Sequence, residues 1–174
     1  VAALIIVYIA CFRDHRWLRG EIGTVMCMAA DRKQVRTIMR YVSGFIKSVP
    51  MLNSLIRSET KESMELSNNI VIEIQTSNYR TVRGYTIVAA VCDEMAFWRS
   101  DESSNPDFEV LNALKPGMAT VPSPLLMCIS SPYARKGALW TAYKNHYGKD
   151  GASSLVWLAP TEAANPSVDR SVIE

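Results

Sequence analysis

The hydrophobic positions of this chain fall into unbroken runs and helical-period blocks. Residues 85–92 are apolar apart from Thr86, and the run stops on two adjacent carboxylates, Asp93 and Glu94. Such a run, bounded by Gly84 on one side and charge on the other, predicts a strand buried on both faces of a helix-covered parallel sheet. Residues 24–29 and 124–129 are similar runs, and residues 155–158 predict a last strand.

Between these runs the period changes. Residues 1–12 read as a buried helix. Asp31, with Gln34 three residues later in a capping-box-like arrangement, opens a helix carrying Val35, Ile38, Met39, Val42 and Ile46. It is predicted to stop at Ser48 and Val49, because the residue before Pro50 disfavours helix. Pro106, at a first helical position, opens another with Phe108, Val110, Leu111 and Leu114, predicted to end at Pro116 and Gly117. Leu139, Trp140 and Tyr143 mark a further helix that closes near Gly148. Residues 63–66 and 70–75 alternate polar with apolar around Ser67, Asn68 and Asn69, which predicts an antiparallel hairpin at one edge of the sheet. The pattern as a whole predicts an α/β fold, mostly parallel and flanked by helices.

Length and composition add bounds. A chain of 174 residues suits one domain. A net charge of +2 declares neither a nucleic-acid face nor a membrane face. Twelve opening apolar residues are too few to span a membrane, and no basic region precedes them, so no membrane association is expected. Cys11, Cys27, Cys92 and Cys128 lie apart inside apolar runs, without C-x-x-C spacing, and read as buried free thiols in a reducing compartment. His15 and His146 are isolated beside basic residues and are assigned to no metal.

The candidate chemistry gathers at strand ends. Asp93 and Glu94 sit at the C-terminal edge of their strand, where open α/β sheets place ligands. In a nucleotide hydrolase the first carboxylate would hold Mg²⁺, directly or through its water shell, and the second would orient and deprotonate the attacking water. For the pair alone, a core strand with a solvated polar end is an equal alternative. Ser130 and Ser131 end the run at 124–129 and bring hydroxyls to the same edge. Arg80 and Arg83, ahead of the central strand, are surface charges by default; alternatively one reaches a phosphate, in its own site or a neighbouring subunit's. A P-loop needs G-x-x-x-x-G-K-[ST]. Gly44 is detached from Lys47 and sits at a helix end, and Lys149 after Gly148 is followed by Asp150, so the motif does not occur. The opening helix fits the helix that follows such a loop, and the chain is expected to begin just after one.

Three segments resemble the ATPase domain of the large terminase subunit, the DNA-packaging motor of tailed bacteriophages. Residues 85–94, followed by Met95, Ala96, Phe97 and Trp98, are similar to that family's Walker B segment. Ile129, Ser130, Ser131 and Pro132 resemble its coupling motif. Thr81, Val82, Arg83 and Gly84 resemble the segment carrying an arginine proposed to reach a neighbouring subunit's ATP. Ala159 to Thr161, Asn165 with Pro166, and Val172 with Ile173 are similar to the family's passage towards its nuclease domain.

The resemblance implies a P-loop NTPase fold of the RecA/ASCE-like type, lacking its first strand and P-loop. A partial ATPase domain would span residues 1–159, and a linker with the start of the next segment 160–174, where residues 167–174 read as a capped helix start. The implied cofactors are ATP and Mg²⁺. Asp93 would bind the metal, Glu94 would activate water, Arg83 (with Arg80 as rival) would stabilise the transferring phosphoryl group, and Ser130 or Ser131 would sense the γ-phosphate. The implied partners are double-stranded DNA, a portal protein, the small terminase subunit and further copies in a ring, in the cytoplasm of an infected bacterium at the procapsid portal. The complete protein would also be an endonuclease, and the chain alone is expected to hydrolyse ATP poorly. A helicase-like ATPase, or a non-catalytic prophage product that only binds DNA or portal, are the alternatives.

Overall fold

The long apolar runs form the centre of one sheet. A computed structural model describes residues 1–78, 80, 82–99, 105–165, 167–169 and 171. Strand β1 (Gly23–Ala29) is buried at every position, and β5 (Thr86–Asp93) is buried at residues 87–92. They pair in parallel with each other, with β4 (Ile70–Thr76) on one side and with β6 (Leu125–Ile129) on the other. Strands β2 (Ile56–Glu59) and β3 (Ser63–Leu66) complete the sheet, in the order β2-β3-β4-β1-β5-β6.

The hairpin predicted from residues 63–66 and 70–75 is present, with β3 antiparallel to β4. It is extended by β2, antiparallel to β3, so β2 takes the edge while β4 joins the parallel centre. Asn69 supplies the turn with φ +61°, a left-handed conformation that Asn tolerates better than most residues.

Helices cover both faces. α1 (Ala2–Cys11) and α2 (Arg32–Ser48) lie on one face, where Ile6, Ile9, Val35, Val42 and Ile46 join Val25, Cys27 and Val91 in one core. α2 starts as predicted: Asp31 Oδ1 accepts from the backbone N–H groups of Lys33 at 2.7 Å and Gln34 at 3.0 Å. Pro50 then opens the short α3 (Pro50–Asn53). α1 buries only one side, since Leu4, Tyr8 and Phe12 are exposed, and the buried helix expected there is half-covered.

The opposite face carries α4 (Pro106–Ala119) and α5 (Gly137–His146), whose Val110, Leu114 and Ala138 pack with Met26, Met28, Ala90 and Cys92. α4 does not end at Pro116 but continues through it to Ala119. Gly117 explains the fit: a Cβ there would lie 2.5 Å from the Tyr85 carbonyl oxygen, so the missing side chain lets this turn lie directly against the start of β5.

One other expectation is corrected. Residues 155–158 form no strand; Leu155, Trp157 and Leu158 are exposed and unpaired to the sheet. The linker predicted from residue 160 contains one helical turn, α6 (Thr161–Ala164). Of the helix start expected over 167–174, residues 170 and 172–174 lie outside the described residues, as do Pro166, Tyr79, Thr81 and residues 100–104.

Candidate active site at the ends of β5 and β6

A register irregularity in β5 decides where its carboxylates are delivered. The pairing with β1 runs Thr24 to Ile87 and then Val25 to Ala89, skipping Val88. As a result Val88, Ala89 and Val91 enter the core under α1 and α2, while Ile87, Ala90 and Cys92 enter the core under α4. A regular strand alternates strictly, so this bulge resets the alternation before the chain reaches Asp93.

Asp93 ends β5 beside Ile129 of β6, and Glu94 follows in a left-handed conformation, with φ +51° and ψ +40°. That region is costly for a residue with a Cβ, by roughly 1 kcal/mol or more. Surrounding bonds hold it in place. The Phe97 N–H donates to the Glu94 carbonyl at 2.9 Å in a short 3-10 turn (Met95–Phe97), and Trp98 Nε1 donates to the Asp93 carbonyl at 2.9 Å.

Ser130 bridges the two strand ends. Its Oγ accepts from the Ala96 N–H at 3.1 Å and lies 3.5 Å from Glu94 Oε2, at the limit of a hydrogen bond, and 3.1 Å from the Ser131 carbonyl oxygen. Ser131 itself is exposed. Four of the six residues singled out from sequence, Asp93, Glu94, Ser130 and Ser131, are therefore neighbours on one sheet edge.

Arg83 is not among them. It precedes β5, whose length puts roughly 23 Å between Thr86 and Asp93, and it lines a separate concavity of about 580 Å³ with Gly84, Glu109, Asn112, Ala113, Pro116 and Gly117. Arg80 is exposed, with its backbone N–H bonded to Asn78 Oδ1 at 3.0 Å.

Burial, and then the neighbouring Glu94 charge, push the Asp93 carboxyl above the usual carboxylate range, partly offset by a bond from the Glu94 backbone. Among the described residues neither carboxylate has a salt-bridge partner; the ion pairs seen there use Glu59 and Glu62. A half-buried pair of this kind favours an added cation. The donors are hard oxygens and suit Mg²⁺, which takes one or two carboxylates and completes its shell with water and phosphate oxygens. No group of three or more His, Cys, Asp or Glu side chains that could hold a metal occurs among the described residues, so a cage made by the protein alone is not formed there. His15 serves structure: its Nε2 is 3.0 Å from the Ile9 carbonyl oxygen and its ring stacks on Trp17.

Sequence reasoning passed over two positioning residues. Trp98 was visible only as part of an apolar segment, and its bond back to Asp93 depends on the turn between them. Asp107 Oδ2 accepts from the Ala138 N–H at 2.6 Å, pinning the start of α5 to the first turn of α4. Nothing in the spacing of residues 107 and 138 signals that contact.

No protein-family model matches the chain, and no curated protein matches it. Among solved structures, the crystal structure of the HK97 bacteriophage large terminase is similar over 74% of this chain, with a TM-score of 0.55 and 15% sequence identity. The match covers 25% of that protein, so this chain corresponds to about a quarter of its length. The likeness is one of fold: a mostly parallel six-stranded sheet with helices on both faces and an antiparallel edge.

Proposed function

We propose that this chain is part of the ATPase motor of a phage terminase large subunit, coupling ATP hydrolysis to the movement of double-stranded DNA into a procapsid. The observation that carries this reading is the junction of β5 and β6. Adjacent carboxylates, one in a left-handed conformation, meet a serine from the next parallel strand on a fold shared with a large terminase.

Bound ATP and Mg²⁺ would supply the phosphoryl group and its charge neutralisation. Asp93 holds the metal or its water shell, and its half-buried carboxylate is stabilised when that charge arrives. Glu94 orients the attacking water and takes its proton, with its carboxylate positioned by Ser130. Ser130 is also bonded to the Ala96 N–H, so a displacement of β6 on loss of the γ-phosphate would pull on both sides of the Glu94 turn. Arg83, remote from the carboxylates in its own chain, acts on the nucleotide of a neighbouring copy in a ring; portal protein and small terminase subunit complete the assembly in the infected host. This reading requires a phosphate-cradling loop, and no G-x-x-x-x-G-K-[ST] segment occurs in the 174 residues.

The coding sequence around this chain tests the reading. A G-x-x-x-x-G-K-[ST] loop directly upstream and clustered metal-binding acids downstream support it, together with DNA-dependent ATP hydrolysis that Glu94→Gln abolishes. A second RecA-like lobe downstream would move the assignment to a helicase-like ATPase. Upstream sequence with no phosphate-binding loop would leave a non-catalytic DNA- or portal-binding module.

A further inference from the structure

One position below the carboxylates, β5 and β6 place two thiols side by side. Cys92 and Cys128 are register partners in the parallel pairing, and both belong to the core under α4 and α5. Neighbouring strands run about 4.8 Å apart. That spacing lies within the Cα separation of roughly 4.4–6.8 Å that a disulfide bridges. Both side chains enter the same core, so the two thiols lie on one face of the sheet. Cys92 is fully buried, whereas Cys128 is partly exposed, which gives solvent a way to one member of the pair.

We propose that Cys92 and Cys128 form an oxidisable dithiol that peroxide closes to an intrachain disulfide, fastening the carboxylate-bearing strand to the serine-bearing strand. This modification site is independent of the ATPase reading and uses neither Asp93 nor Glu94.

The chemistry balances with hydrogen peroxide as oxidant. The Cys128 thiolate attacks one peroxide oxygen, the O–O bond breaks, and the departing hydroxide takes up the thiol proton as water, leaving a sulfenic acid on Cys128. The Cys92 sulfur then attacks the Cys128 sulfur. An S–S bond forms, the S–O bond breaks, and the hydroxide leaves with the Cys92 proton as a second water. Two electrons pass from the thiol pair to the peroxide. The order of attack follows from exposure: Cys128 is reachable from solvent, whereas Cys92 is buried.

The other thiols are poor competitors. Cys27 lies on the opposite face of the sheet, in the core under α1 and α2, where burial pushes its thiol up to about 12. Cys11 is in α1, also on that face, and burial raises its thiol as well. A bridge between β5 and β6 would fix the gap across which Ser130 reaches Glu94, because Cys92 and Cys128 stand immediately below those two chain ends.

The test is peroxide treatment of the full chain, read by intact mass and by non-reducing peptide mapping. The expected result is a loss of two hydrogens, a cross-link between the peptides holding Cys92 and Cys128, and reversal by dithiothreitol. Cys92→Ser and Cys128→Ser each abolish the cross-link, and Cys27→Ser and Cys11→Ser leave it intact. Since Cys92→Ser puts a hydroxyl in the core, Cys92→Ala is run beside it, with folding checked by circular dichroism; in either variant Cys128 advances to sulfinic acid. Sulfinic acid forming on Cys128 as readily in the unaltered chain would overturn the proposal. So would a cross-link joining any other pair, or one joining two molecules.

Discussion

Asp93 is the residue whose chemistry and stability pull in opposite directions. Its carboxyl is held above the usual range chiefly by burial, so the folded chain keeps a proton that the unfolded chain has already released. Stability from this group is therefore full below the ordinary carboxylate range and is lost as pH rises through the folded value. Asp93→Asn is expected to raise the urea midpoint at neutral pH, with a gap that narrows as the pH is lowered. A gap independent of pH would mean that the charge is not what is relieved. The same substitution removes the proposed metal ligand, so a gain in stability should accompany loss of any Mg²⁺-dependent activity. Ser130 tests the neighbouring contact. Ser130→Ala strips the acceptor from the Ala96 N–H and should cost about 1 kcal/mol in urea unfolding. Combined with Glu94→Gln it should show non-additivity, as expected of groups sharing one network. Additive losses would argue that the 3.5 Å approach to Glu94 is not an interaction.

Among the elements, two glycines in helices predict opposite outcomes. Gly44 lies inside α2, and a Cβ added there would meet nothing within 4 Å, so Gly44→Ala should stabilise by roughly 0.5–1 kcal/mol through helix propensity alone. Gly117 lies inside α4, where the same change drives a methyl into the Tyr85 carbonyl oxygen and against Ile87. Gly117→Ala should destabilise by about 1–3 kcal/mol, since a buried backbone atom yields less readily than a side chain. Thermal melts of the two variants compare the predictions directly. The same contrast shows what the sequence carried. The strand at 85–94 and the helix behind Asp31 were legible because their signals are local: an uninterrupted apolar run, a capping residue and a period. The end of α4 was not, because Pro116 and Gly117 read as a stop until β5 is there to receive them. β2 has only one large apolar residue, Ile56, and gains its pairing from β3. Residues 155–158 have a strand's composition but no strand neighbour, and composition alone cannot provide one. At the site, the meeting of Asp93, Glu94 and Ser130 was readable from strand ends. The bulge that orients them depends on pairing between strands and left no mark in spacing.

At the scale of the whole molecule the sheet is finished on one side and open on the other. At the β2 edge, Glu59 and Glu62 are tied to α2 by Lys47, Arg32 and Arg36. The β6 edge carries Leu126 and Ile129 at 37% and 38% exposure, and Leu155 and Trp157 stand at 95% and 74%. An apolar edge strand and exposed apolar side chains are each templates for association. The chain on its own should self-associate with rising concentration in sedimentation velocity, and Leu155→Ser with Trp157→Ser should weaken that tendency without changing the circular dichroism spectrum. The proposed catalysis also needs a group that holds the triphosphate. The 174 residues hold the carboxylates proposed for metal and water but no G-x-x-x-x-G-K-[ST] loop whose amides would hold the γ-phosphate in line with Glu94. Purified alone, the chain should release phosphate from ATP no faster than its own Glu94→Gln variant. Turnover well above that variant would show that the chain binds the triphosphate by other means, and the division of labour proposed between Asp93, Glu94 and an outside phosphate loop would fall.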